Sequence, residues 1–490
     1  MTILTDGHVC QYEIRGLAGM FFPGLKIELI FGGGARPEGD YIYSGLSRES
    51  GENRLLIEVK IGENYETARD ILPDSPDFKN DCERAFGFML YKILSKITGF
   101  APEWGTLTGV RPVRLVRRRL SAGMSAGEII KDLQGKYLVS PQKAALAIKT
   151  AENQRGLLEF AEGKTFSLYI GIPFCPSRCL YCSFVSHSTE KTAGLIPDYV
   201  NKLCEEIRRT AEVAAGNGLK LSTIYIGGGT PTSLSAAQLR RLFRVIGENF
   251  DISSALEYTV EAGRADTINS EKLAAIKEGG ADRISINPQT MLDSVLEAIG
   301  RRHTAAQVEE SFRLARQTGF DNINMDLIAG LNTDTLEGFK YSLDRLIWLS
   351  PENITVHTLS VKRSSDAVYQ GRAIYDPHGG LVSQMLEYAR GRLDSAGYFP
   401  YYLYRQKNTR DNQENAGFAA PGRACLYNIF IMEEIQTILA CGAGAVSKLY
   451  MPGAKIERIF NYKFPYEYLK GFGEIIRRKQ AVYNFYKNAG

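Results

Sequence analysis

Between Phe166 and about Val361 the sequence repeats one unit six times, a short apolar run followed by a stretch of helical period. The pattern predicts strands over 167–172, 221–226, 257–262, 283–286, 322–327 and 353–360. It predicts helices over 196–215, 236–249, 271–277, 292–299, 305–318 and 336–349, the second capped by Ser235. Strands that alternate with helices pair in parallel, because each crossover helix returns the chain to the same end of the sheet. Six units fall short of the eight that close a barrel. The fold class expected is therefore α/β, a partial, three-quarter parallel β/α barrel. In such a sheet the chemistry sits at the C-terminal ends of the strands.

The loop after the first strand carries Cys175-Pro-Ser-Arg-Cys179-Leu-Tyr-Cys182, a C-x3-C-x2-C spacing. Three thiolates on one short loop can hold three corners of a cubane iron–sulfur cluster, which ordinarily takes four cysteines. Position 184, where a further cysteine would stand, is Phe184. One iron is then left to bind something other than protein. His187 could complete a zinc site instead, and zinc stays open on this loop alone. The other cysteines, Cys10, Cys82, Cys204, Cys425 and Cys441, are scattered and read as buried thiols of a reducing compartment such as the cytoplasm.

After the second strand comes Gly227-Gly-Gly-Thr-Pro231, glycines placed where backbone must approach something closely. Three later strands end in polar side chains: Glu261, Gln289 and Asp326. One polar strand end is a cap; three in succession look like a ligand shell. Arg301 suits a carboxylate partner, with Arg302 and His303 read as scaffold.

Outside the repeat, residues 1–75 alternate apolar and polar in short runs and read as a β meander. Residues 77–160 turn helical, with Ser140 and Pro141 opening one helix. Arg111, Arg114, Arg117, Arg118 and Arg119 make residues 111–119 basic, a solvated helix face or a site for an anion. Domain boundaries are expected at 1–162 (α+β), 163–370 (barrel) and 371–490, a substrate cap over the barrel mouth. In the last, 425–441 reads as helix.

The cysteine spacing and the glycine motif together resemble the radical S-adenosylmethionine (SAM) superfamily. Within it the chain resembles the oxygen-independent coproporphyrinogen III oxidases, the match running from Tyr169 to about Leu359 with a further piece near 400–448. Leu107-Thr-Gly-Val-Arg-Pro-Val-Arg-Leu and Tyr402-Leu-Tyr-Arg-Gln-Lys resemble the HemZ-type branch, coproporphyrinogen dehydrogenase. The resemblance implies a 4Fe-4S cluster on Cys175, Cys179 and Cys182, and one SAM or two. It places SAM contacts at Tyr169, Tyr181, Gly228, Gly229, Thr230, Glu261, Gln289, Arg301, Asp326 and Val446. Two departures stand out. Established oxidases carry a cysteine where this chain has Phe184; the HemW-type haem chaperones also lack that cysteine. Those chaperones carry a His-Asn pair for haem, where this chain has Tyr427-Asn428. A third branch opens the haem ring anaerobically.

The activity implied is oxidative decarboxylation of two coproporphyrinogen III propionates to vinyl groups, by hydrogen abstraction followed by loss of an electron and CO2. A haem chaperone and a haem-degrading radical methyltransferase are the alternatives. Propionates call for bidentate arginines: Arg405 is the first candidate, assigned with Tyr169 to the catalytic set, and Arg111 and Arg114 stand behind it. Tyr402 and Tyr404 are candidates to pack on a macrocycle. The implied partners are a tetrapyrrole and an electron donor such as flavodoxin or ferredoxin. A formal charge of +4 calls for no nucleic acid, and no apolar run reaches the length of a membrane span.

Overall fold

The computed structural model describes residues 1–109, 111–182, 187–360, 380–406 and 409–488. Position 184, the end of the repeat at 361 and the expected boundary at 370/371 lie outside the described residues. The chain forms two compact units.

One unit comprises Met1–Lys149 with Ala373–Ser383 and Tyr404–Glu414. Its sheet holds β1 (Thr2–Asp6), β2 (Glu28–Phe31), β3 (Tyr41–Glu49), β4 (Glu52–Ile61) and β5 (Asn64–Leu72), in the order β2-β1-β3-β4-β5. The meander expected from the alternation is β3-β4-β5, antiparallel throughout. β1 joins it in parallel, because the helix Gln11–Phe21 carries the chain back before β2. That helix was not legible as one: Gly16 and Gly19 dilute its pattern. Its buried Ile14, Leu17 and Ala18 pack with Phe86, Leu90 and Leu94 of the helix Phe78–Thr98, over Ile42, Ile57 and Val59 of the sheet.

The other unit comprises Thr150–Arg372, Gln384–Leu403 and Asn415–Gly490. Here the six predicted strands are β6 (Thr165–Ile172), β9 (Lys220–Gly228), β10 (Glu257–Gly263), β11 (Arg283–Gln289), β12 (Ile323–Ala329) and β13 (Asn353–Thr358). They lie side by side in chain order and all run parallel. Their connecting helices match the periodicity closely, and Ala236–Asn249 opens on a reciprocal Ser235–Gln238 capping box. The series does not close on itself: β6 and β13 take other neighbours. Between β6 and β9 the cysteine loop forms a two-stranded parallel pair, β7 (Phe174–Cys175) with β8 (His187–Ser188).

The C-terminal third corrects two expectations. It is not a separate cap. Its β14 (Phe399–Arg405) and β15 (Glu414–Ala419) extend the sheet beyond β13, β15 running antiparallel to it. Its β16 (Thr437–Cys441), β17 (Val446–Leu449) and β18 (Glu457–Phe460) extend it beyond β6, giving eleven strands among the described residues. And 425–441 is a helix only over Leu426–Glu433. Thr437-Ile-Leu-Ala-Cys441 is β16, parallel to β6 and buried along its whole length. A short wholly buried strand has no alternation to distinguish it from a buried helix. The N-terminal boundary also moves: the first unit's N-terminal segment ends at Lys149, inside the helix Pro141–Gln154, rather than at residue 162.

Candidate active site at the strand ends

The cysteine loop is pinned from two sides. Leu180 N–H donates to Ile299 O at 3.1 Å and Ser177 Oγ to Gly300 O at 3.0 Å. Arg264, just past β10, donates to Ser177 O and Oγ at 2.9 and 2.8 Å. Arg264 is itself held by Asp266 at 3.0 Å. Cys179 is buried, and Cys175 and Cys182 are half-buried.

The glycines serve this loop directly. Gly229 N–H donates to Ile172 O at 2.7 Å, and Thr230 N–H to Phe174 O at 2.8 Å. A Cβ on Gly229 would stand 2.7 Å from Phe174 O and 2.9 Å from Ile172 O, both backbone. Gly228 adopts φ +108°, a region L side chains rarely enter. The close approach read from the sequence is thus made first to the cysteine-bearing strand. Thr230 Oγ1 then donates to Cys175 Sγ at 3.3 Å.

Arg301 reaches the loop from beyond β11. It donates to Asn287 O at 2.6 Å and to Tyr181 Oη at 3.3 Å. Burial works against its charge, but Tyr181 and the Cys179 sulfur beside it more than offset that and hold its pKa up. Gln289 ends β11 in the left-handed region, φ +73°, with its Oε1 buried and unbonded. Arg301 Nε is likewise buried without a partner. Such orphans are rare in finished protein interiors and mark a place where a ligand completes the bonding.

Alternate residues of the parallel strands build the wall that holds Glu261 and Asp326. Tyr225 Oη donates to Glu261 Oε1 at 2.5 Å. Burial, reinforced by the Asp326 charge, pushes the Glu261 carboxyl up to about 7, against the Tyr225 bond, the Gly228 N–H and His357. Asp326 takes Asn324 Nδ2 at 2.8 Å and faces His357 Nε2 at 3.8 Å. For Asp326, burial is outweighed by His357, Asn324 and Thr355, and its carboxyl lies below the usual range. Tyr169, Tyr225 and Tyr427 stack: Tyr225 and Tyr427 are 4.4 Å apart at 21°, and Tyr169 lies 6.3 Å from each at 16°. Burial pushes all three phenols up, so they stay protonated. Tyr427 is held there because Glu257 caps its helix, accepting Leu426 N–H at 2.7 Å and Cys425 Sγ–H at 3.1 Å. Val446 opens β17 opposite Phe460, just past a Gly442 turn whose Cβ would strike Gly171 O at the end of β6.

The residues assigned from the sequence to the cluster and to SAM therefore gather on the strand ends and the cysteine loop; the substrate candidates do not, and Arg111, Arg114, Tyr404 and Arg405 belong to the first unit. Arg405 is 4% exposed and belongs to the first unit, where it donates to the backbone oxygens of Leu107 and Asn412 and covers the Trp104 ring at 5.4 Å. Desolvation lowers its pKa to about 10. It is built into that unit's core, which leaves no fork for a propionate. Tyr402 is also core, 5% exposed, its ring lying where a Cβ on Gly417 would go. His187 stacks edge-on against Phe464 at 5.7 Å rather than reaching back to the cysteines. Sequence reasoning missed Tyr225, Arg264 and His357. Tyr225 was findable: it lies opposite Tyr169, on the face of its strand that carries the predicted ligand shell.

Among the described residues no three His, Cys, Asp or Glu side chains are gathered as a metal site. The fit to a cluster rests on the donor set, three thiols on one pinned loop, and on the donors beside them, Thr230 at Cys175 and Arg301 at Cys179. The orphaned Gln289 and Arg301 atoms fit an amino-acid nucleoside bound beside that loop.

A radical SAM superfamily model matches residues 169–346. The oxygen-independent coproporphyrinogen-III oxidase-like protein HemZ of Bacillus subtilis is 37% identical over 468 residues, 94% of this chain and 92% of that protein. The haem chaperone HemW of the same organism is 34% identical over 283 residues, 57% of this chain and 70% of that one. Among solved structures, coproporphyrinogen III oxidase HemN of Escherichia coli superposes with a TM-score of 0.50 at 24% identity, over 66% of this chain and 72% of that one, a likeness of fold. No helix among the described residues is long and apolar enough to cross a membrane. The chain belongs to the radical SAM superfamily, in the HemZ-type branch of the oxygen-independent coproporphyrinogen III oxidase-like family, whose cofactors are a 4Fe-4S cluster and S-adenosylmethionine.

Proposed function

We propose that this protein is a radical SAM enzyme that decarboxylates coproporphyrinogen III, turning two propionates into vinyl groups. Cys175, Cys179 and Cys182 would hold the cluster. Tyr169, Tyr181, Gly228, Gly229, Thr230, Glu261, Gln289, Arg301, Asp326 and Val446 would contact one SAM or two. When bound, the cluster and SAM would supply the radical chemistry needed to activate the propionate side chain. The chain's own work is to orient and to exclude water. Glu261 and Asp326 would accept hydrogen bonds from the cationic nucleoside, and Arg301, bonded to Tyr181, holds the loop.

The observation that carries enzyme over chaperone is the burial of Tyr427. The haem chaperones place a histidine there. Here the side chain is 4% exposed and stacked with Tyr225 and Tyr169. The near full-length match to the HemZ protein supports the same reading. The match to the haem chaperones keeps haem transfer as the second reading. The test is anaerobic incubation of cluster-loaded protein with SAM, a reductant and coproporphyrinogen III, followed by mass spectrometry. Loss of CO2 from two propionates with 5′-deoxyadenosine formed supports the proposal. Tight haem binding with no decarboxylation would replace it with the chaperone reading.

A further inference from the structure

Glu261 and Asp326 stand on the same wall, two carboxylates with, among the described residues, one basic side chain beside them. The groups that face them are Tyr169 from β6, Tyr225 from β9, Asn324 and Asp326 from β12, Thr355 and His357 from β13, and Tyr427 from the helix Leu426–Glu433. Of these only His357 can carry a positive charge. β13 pairs with β12 so that Asp326 sits opposite Thr355 and Ile328 opposite His357. That register sets the ring one step nearer the strand ends than the carboxylate, with Nε2 3.8 Å from Oδ2. Asn324 holds the other oxygen of Asp326 at 2.8 Å, and Tyr225 holds Glu261 at 2.5 Å. Neither of those neutral donors can compensate a second negative charge.

We propose that His357 is a positioning residue whose charge, set against Asp326, allows Asp326 and Glu261 to be ionised together. Two carboxylates sharing one buried site otherwise keep a proton between them, as each raises the other's cost of ionisation. Both are needed as acceptors for the hydroxyl and ammonium donors of a cationic nucleoside, since bonds to an ionised acceptor are about twice as strong as neutral ones. The inference rests on the reading of Glu261 and Asp326 as SAM contacts. It adds a residue on which that reading depends and which makes SAM binding sensitive to pH. The influence of His357 on the Glu261 carboxyl, lowering it against burial, has the required sign.

The experiment is an infrared titration of the full-length protein with no ligand added. The protonated carboxyl band of Glu261 is assigned by its absence in Glu261→Gln. His357→Gln should move the midpoint of that band upward by about one pH unit. His357→Lys, which keeps a positive charge, should return it to the wild-type value or below. In the cluster-loaded protein, SAM affinity of His357→Gln should be about fivefold weaker than wild type near pH 7, approach about tenfold weaker in mild acid and converge on it in mild alkali. An unmoved band in a His357→Gln variant that melts like wild type overturns the proposal, as does failure of Lys to restore it. Absence of SAM binding by the wild type would count against the proposed function instead, because the infrared result is obtained without SAM.

Discussion

Thr230 Oγ1 donates a hydrogen bond to Cys175 Sγ across 3.3 Å, tying the glycine turn after β9 to the first cysteine of the loop. A donor at a ligating sulfur stabilises the electron-rich, reduced state of a cluster and fixes the ligand's direction. Thr230→Val keeps the shape and removes the donor. It is expected to leave the fold intact, move the cluster's midpoint potential to more negative values and cost about 10–100-fold in activity or cluster affinity. Potentiometric titration followed by electron paramagnetic resonance checks this; an unchanged potential would show that the bond is incidental.

Replacing Cys175, Cys179 or Cys182 by Ala is expected to abolish formation of 5′-deoxyadenosine. Full SAM cleavage in any one of the three variants would remove that cysteine from the ligand set. Because the open iron of such a cluster is exposed, purification in air should give protein with a reduced iron content, restored by anaerobic reconstitution.

Gly229→Ala tests the backbone approach. The new Cβ would sit 2.7 and 2.9 Å from two main-chain oxygens, which cannot rotate away. Loss of about 1–3 kcal/mol of stability is expected, read as a lower melting temperature. Gly247→Ala, in a helix with no heavy atom nearer than 3.9 Å, serves as the control and should be neutral or stabilising.

The Gly442 turn hangs on a buried pair. Glu206 is fully buried and takes Lys479 Nζ at 2.9 Å, Tyr468 Oη at 2.7 Å and Gly442 N–H at 2.8 Å. Lys479→Met leaves that carboxylate without its cation and should cost about 3–5 kcal/mol. The double variant Glu206→Gln, Lys479→Met should recover part of the loss, because the uncompensated charge is gone. Denaturant melts of the single and double variants decide it.

Arg405→Ala is expected to lower stability while leaving SAM binding and the cluster spectrum as in wild type. Its hydrogen bonds run to backbone oxygens in the first unit, and charged hydrogen bonds of this kind contribute about 1.5–3 kcal/mol each. A variant that melts normally but loses tetrapyrrole binding would return Arg405 to the substrate.

Glu261 sets a pH dependence of stability. Its carboxyl is raised from an ordinary 4.5 to about 7. Being raised, it favours the folded state fully below about pH 4.5 and loses that contribution as pH climbs to about 7. Relative to Glu261→Gln, wild type should therefore become less stable between mildly acidic and neutral pH, by about 3 kcal/mol at most. Parallel melts of the two proteins across that window measure it; curves that stay parallel would place Glu261 in a wetter setting.

The six parallel strands, their helices and the polar residues at the strand ends were legible from residue pattern alone. Each of those is local: strand and helix periods are set by burial of one face, and the placing of polar residues on consecutive strand ends follows from their order along the chain. The cysteine loop was legible for the same reason. The docking of non-local segments was not. β16 lies against β6 although well over two hundred residues separate them, and its wholly apolar run carries no period that tells strand from helix. Arg405 looked like a substrate arginine because its neighbours in sequence are tyrosines. Its neighbours in space are the oxygens of Leu107 and Asn412 and the ring of Trp104, and burial there turned it into core. His357 was passed over since a lone histidine carries no pattern. Only the register of β13 on β12 brings its ring to Asp326.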